Sequence, residues 1–95
     1  MKKIVYALAY YDHKMGTVDY YIKMPMDGVE TGEPLPRFLE SAGEYGWQLC
    51  GVIPNAARKG AIIGLQPEYA KETGKSTRTV QDPAEITELI FSKSF

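Results

Sequence analysis

Ninety-five residues suit one compact domain spanning 1–95, with a single modest core that removes roughly 60–65% of the unfolded chain's surface from water. A hydrophobic content of 44%, a charged content of 24% and a net charge of −1 describe an ordinary globular chain. They argue against a bulk-basic nucleic-acid binder, and no apolar run approaches the ~20 residues of a membrane span. One cysteine, Cys50, allows neither an internal disulfide nor a Cys-x-x-Cys zinc site. With no small-residue cleavage site behind Met1-Lys2-Lys3, the expected setting is the cytoplasm.

From Lys3 to Tyr11 the chain is Ile, Val, Tyr, Leu and Ala without a turn former. "DHKMG" then interrupts and "TVDYYIKM" resumes β-branched and aromatic character, which predicts a β-hairpin with a loop of about five residues. In the second strand Val18, Tyr20 and Ile22 alternate with Asp19, Tyr21 and Lys23, one face buried and one wetter. In the first, Ile4, Tyr6, Leu8 and Tyr10 point one way and Val5, Ala7, Ala9 and Tyr11 the other. Both faces are apolar, as in a central strand covered on both sides.

"PMDGVETGEPLP" at 25–36 holds three prolines, two glycines and three acids, the composition of an irregular connection. Leu35, Phe38, Leu39, Ala42 and Tyr45 then follow helical spacing, with Pro36 in the first turn and Gly46 as the stop. "WQLCGVIP" is a strand ended by Pro54, and "GAIIGLQ" at 60–66 a second candidate. Residues 67–83 are polar, with Pro67, Gly74 and Pro83, and read as an excursion. "EITELIFSKSF" alternates as a final strand, although "PAEITELI" could also open a short helix. The fold class expected is α+β: a four- to five-stranded, mainly antiparallel sheet with one main helix packed on one face. One helix cannot cover two faces. The second face is left apolar, so either a second copy covers it or the 67–83 excursion folds back over it.

Candidate chemistry is sparse. "ETGKST" has the end of a phosphate-binding loop but Tyr69 where its first glycine belongs, a polar segment before it and Pro83 soon after it. An exposed turn is expected instead. His13 is the only histidine and lies beside Asp12 in the hairpin loop, with no serine or cysteine aimed at it. Cys50 is expected to be a buried small hydrophobe within its strand. Asp27, Glu30 and Glu33 lack the spacing of a calcium loop and a histidine companion. No metal, cofactor or catalytic set is therefore predicted.

Charge is unevenly distributed: residues 27–44 carry five acids against Arg37, and 58–78 carry five bases against two acids. The bases Arg58, Lys59, Lys71, Lys75 and Arg78, with Tyr69 among them, form a candidate site for a small anionic ligand or single-stranded nucleic acid. The acidic pI of about 5.8 weighs against nucleic acid. Tyrosine is concentrated in the first hairpin, at Tyr6, Tyr10, Tyr11, Tyr20 and Tyr21. These residues suit cross-strand packing and a protein interface.

Within "FLESAGEYGWQLCGVIPN" at 38–55, Leu39, Gly43, Gly46, Trp47, Leu49, Val52 and Pro54 resemble the signature of a family of small, mostly bacterial proteins of unknown function, the domain of unknown function 4177 type. In that signature a helix, LxxxGxxGWEL, runs into a strand, VxVxP. The family also begins with a tyrosine-containing strand and ends with an apolar strand plus lysine, as "KIVYALAY" and "LIFSK" do here. Gln48 stands where the family favours glutamate, and the long second strand and acidic loop at 16–34 and the 60–83 insertion are departures from it. The resemblance implies a small α+β domain in which Gly46 ends the helix, Trp47 lies under it, and Leu49 and Gly51 continue one strand face. It implies no nucleophile, acid or metal ligand.

The reading that joins these observations is a cytoplasmic, homodimeric interaction or regulatory module without catalytic activity, its partner a second copy or another protein and not a membrane. The alternative is a binder of small anions or single strands through the basic 58–78 segment. An enzyme using a carboxylate or tyrosine in an interfacial cleft has no residue constellation behind it.

Overall fold

The computed structural model describes residues 3–20, 26, 28–64 and 71–95, of Tyr20 the backbone. The first hairpin joins β1 (Ile4–Asp12) to β2 (Thr17–Tyr20) through the turn at 13–16. Gly16 turns there with φ 72° and donates its N–H to the Asp12 carbonyl. The expected continuation of the second strand through 21–24 lies outside the described residues. A two-residue strand β3 (Glu33–Pro34) leads directly into helix α1 (Leu35–Glu44), followed by β4 (Gln48–Ile53). A small separate hairpin sheet follows, β5 (Ile62–Gly64) against β6 (Thr77–Thr79). One 3-10 turn (Pro83–Glu85) delivers the chain into β7 (Ile86–Ser94). "PAEITELI" thus yields a single tight turn and then strand, because Ile86, Leu89 and Phe91 find sheet partners.

The main sheet is antiparallel, ordered β3-β2-β1-β7-β4. Its spine is the β1–β7 pair, in register from Ile4 opposite Ser94 to Asp12 opposite Ile86. Residues opposite one another share a side of the sheet, so the register sorts the side chains. Val5, Ala7, Ala9 and Tyr11 stand with Leu89 and Phe91 on the helix side. Ile4, Tyr6, Leu8 and Tyr10 stand with Ile90 on the other.

On the helix side Phe38 and Ala42 of α1 pack with Ala7, Ala9, Val18, Leu89 and Phe91 into the core, and Met26, Val29 and Trp47 close its rim. The alanines of β1 leave room for Phe38, whose ring sits 5.7 Å from that of Phe91 at 60°. The helix ends where Gly46 takes φ 85°. Gly46 N–H then reaches the Gly43 carbonyl and Trp47 N–H the Ala42 carbonyl, at 3.1 and 2.9 Å. These two bonds are a Schellman motif, and they set Trp47 under the helix as expected.

Three sequence expectations are corrected. Leu49 and Gly51 do not share a face: a bulge at Cys50 pairs Leu49 with Phe91 and Gly51 with Ile90, on opposite sides of the sheet. Cys50, expected inside, is exposed, because β4 is an edge strand and the bulge residue faces no neighbour across the ladder. Asp19, expected on a wet face, is buried.

The side of β1 away from the helix is covered at one end only. Asp12 is buried there against Arg78, with Ile86, also buried, opposite it in the sheet. At the other end Ile4 and Tyr6 remain 55% and 57% exposed. The excursion therefore does fold back, but not over the whole face.

Candidate functional site

A connected polar group lies where the 71–85 segment meets the hairpin turn. Asp12 ends β1 with its carboxylate directed to the open side, where it caps its own turn by accepting from the N–H of Lys14 and Met15 at 3.0 and 3.3 Å. Arg78, on β6, donates to both of its oxygens, Nη2 to Oδ1 at 2.7 Å and Nε to Oδ2 at 3.3 Å. The third arm of the guanidinium, Nη1, reaches Glu85 Oε1 at 3.1 Å, and Lys14 Nζ lies 2.8 Å from the same oxygen. Glu85 Oε2 accepts from the N–H of Gln81 and Asp82 at 2.6 and 2.9 Å. Asp82 in turn accepts from Ala84 N–H, completing a capping box.

Two carboxylates are thus matched by two cations, and all four carboxylate oxygens have donors. Glu85 titrates at about 2. The Lys14 hydrogen bond is the largest cause, and the backbone donors of Asp82 and Gln81 add to it against the opposing effect of burial. Neither acid is free to act as a base. The group is a clamp that fastens the β5–β6 arm to the sheet.

The other sequence candidates fall as follows. His13 is exposed, its Nε2 2.7 Å from Thr87 Oγ1 and its ring 4.6 Å from that of Tyr11. Within the tyrosine set, Tyr6 and Tyr10 share the open side, Tyr11 packs against the core from the helix side, and Tyr20 stands opposite Ala9; Tyr21 lies outside the described residues. Within the basic set, Arg58, Lys59, Lys71 and Lys75 are exposed, whereas Arg78 is engaged in the clamp. Gly74-Lys75-Ser76 forms an exposed turn that runs into strand β6, so no helix N-terminus follows it to hold a phosphate.

Two surfaces remain. An open groove of about 430 Å³ between α1 and the preceding loop is lined by Glu30, Glu33, Glu40 and Glu44 with Arg37 and Tyr45. Asp27 lies outside the described residues, and no three His, Cys, Asp or Glu side chains among those described converge as metal ligands would. The second surface is apolar. On edge strand β4 Leu49, Val52 and Ile53 are 42%, 53% and 44% exposed, Leu49 and Val52 on the helix side of the sheet and Ile53 on the other.

No family model matches the chain, and no curated protein or solved structure matches it significantly. Its class therefore rests on the architecture itself: an α+β domain of one five-stranded antiparallel sheet, a second small sheet and one main helix. No described helix is long and apolar enough to cross a membrane.

The clamp was not foreseen from sequence, because Arg78 meets Asp12 across 66 positions. Two of its signals were nonetheless local. Asp12 stands at a strand-to-turn junction, where an aspartate caps, and Asp82-Pro-Ala-Glu85 has capping-box spacing.

Proposed function

We propose that the protein is a non-catalytic interaction module that works as a homodimer, and that the exposed apolar edge of its main sheet is where it makes contact. The observation that carries this reading is the run of three large apolar side chains on edge strand β4, Leu49, Val52 and Ile53, 42%, 53% and 44% exposed on a chain of this size. Apolar surface gathered in this way, instead of scattered singly, marks association sites. The buried acids Asp12 and Glu85 do not oppose the reading, since the clamp occupies them. A cytoplasmic setting suits an exposed, unpaired Cys50. Membership of the small bacterial family suits the Gly46-Trp47 turn, whose glycine ends the helix as that signature requires.

The anion or single-strand reading keeps four exposed cations on the arm and loses Arg78, the best placed for a bidentate phosphate contact, to Asp12. It is the weaker of the two. Sedimentation equilibrium on the intact chain tests the first: a dimer is expected, and a monomer across the micromolar range removes it.

A further inference from the structure

The two edges of the main sheet are built differently. On one side β3 is two residues long, carries the charge of Glu33 and ends in Pro34, which has no N–H to offer. Short length, charge and proline are among the means by which proteins keep an edge from pairing with another chain. On the other side β4 runs six residues, Gln48 to Ile53, about 20 Å long at strand rise. It contains no charge and no proline, and among the described residues it pairs with β7 alone. All of its residues except Gly51 are exposed.

We infer that β4 pairs antiparallel with β4 of a second copy of this chain, about a two-fold axis between Cys50 and Gly51, joining two five-stranded sheets into one of ten strands. This rests on the homodimer reading and assigns the contact within it. Self-pairing demands a strand whose facing residues match themselves. In a regular strand residues 49 and 52 lie on opposite sides, and setting one against the other would mix the two faces of the sheet. The Cys50 bulge removes that conflict. Leu49, opposite Phe91, and Val52, opposite Leu89, both stand on the helix side. Gln48, opposite Ser92, and Ile53, opposite Glu88, both stand on the other.

A register that sets Leu49 against the partner's Val52 and Gln48 against the partner's Ile53 therefore keeps every pair on one side and covers three exposed apolar residues per copy. A slip of one residue would set Leu49 against the partner's Ile53, across the sheet. Because β4 is uncharged, no like charges meet at the axis. A β3 edge paired with itself would bring two Glu33 side chains together. The exposed Ile4 and Tyr6 lie two strands away from β4, outside this contact, and the open sides of the two copies lie flush.

The test is cross-linking in the intact chain with Cys50→Ser as background. Leu49→Cys and Val52→Cys proteins are mixed and mildly oxidised. The mixture is expected to give the disulfide-linked dimer, while neither protein alone cross-links comparably. In parallel, Val52→Lys is expected to lose the dimer and Tyr6→Ser to retain it, with circular dichroism confirming that both exposed substitutions leave the fold intact. If the wild-type protein is dimeric, yet the 49–52 mixture does not cross-link and Val52→Lys remains dimeric, the edge pairing is wrong and the homodimer reading survives. A monomeric wild type removes both.

Discussion

Arg78 Nη2 and Asp12 Oδ1 lie 2.7 Å apart, on side chains that are 13% and 3% exposed, and this contact fastens one sheet of the molecule to the other. Removing the cation strands a carboxylate that the fold has already taken out of water. Breaking a buried pair from one side costs about 3–5 kcal/mol, so Arg78→Leu should lower stability by about 3 kcal/mol or more through Asp12 alone. Urea unfolding followed by Trp47 fluorescence would read it. The double variant Arg78→Leu/Asp12→Leu should recover a large part of the loss, as expected when the penalty arises from an unpaired charge.

Glu85 supplies the acid limb of the stability profile. Its folded value of about 2 lies below its ordinary 4.5, so the unfolded chain binds the proton more tightly. The stability contributed by Glu85 is complete above about pH 4.5 and is lost as the pH falls towards 2. Thermal midpoints between pH 7 and pH 2 should drop through that window, and Glu85→Gln should flatten this part of the drop. A Glu85→Gln profile as steep as wild type would show that the limb belongs to other carboxylates.

At the end of the helix Gly46 holds φ 85°. A β-carbon there would meet nothing closer than Lys93 Cε at 3.5 Å, so space is not the obstacle and the cost of Gly46→Ala is conformational, about 1–2 kcal/mol. For a domain of this size that is a fall of several degrees in Tm, roughly 4–8 °C per kcal/mol. Gly43→Ala makes the internal control: Gly43 is helical and a β-carbon there meets no atom within 4 Å. It should hold or raise Tm.

The arm's exposed cations, Arg58, Lys59, Lys71 and Lys75, should bind a fluorescein-labelled oligothymidine only weakly, and not at physiological salt, given a net charge of −1. Fluorescence anisotropy at low and physiological salt checks this. Tight, salt-sensitive binding that Arg58→Glu/Lys59→Glu abolishes would make the arm the working surface in place of the sheet.

How far the sequence exposed this molecule depends on the range of the forces involved. The β-branched and aromatic run of β1, strand alternation in β7, helical spacing from Leu35 to Ala42 and the glycine stop at 46 are local patterns, and each produced the element it predicts. The side-to-side order of the strands was not readable, nor was the bulge, which reverses the sidedness of everything after Cys50. Cys50 looked like a core residue because its strand is apolar. It is exposed because β4 is at the edge of the sheet. The arm escaped for a related reason. "GAIIGLQ" read as one more strand of the sheet, whereas among the described residues Ile62–Gly64 pairs only with Thr77–Thr79, and the ion pairs that anchor it join residues distant in sequence.

The most direct test of the central claim is sedimentation equilibrium of the wild-type chain beside Val52→Lys. The account predicts a dimer for the first and a folded monomer for the second. A wild-type protein that stays monomeric throughout the micromolar range would contradict it.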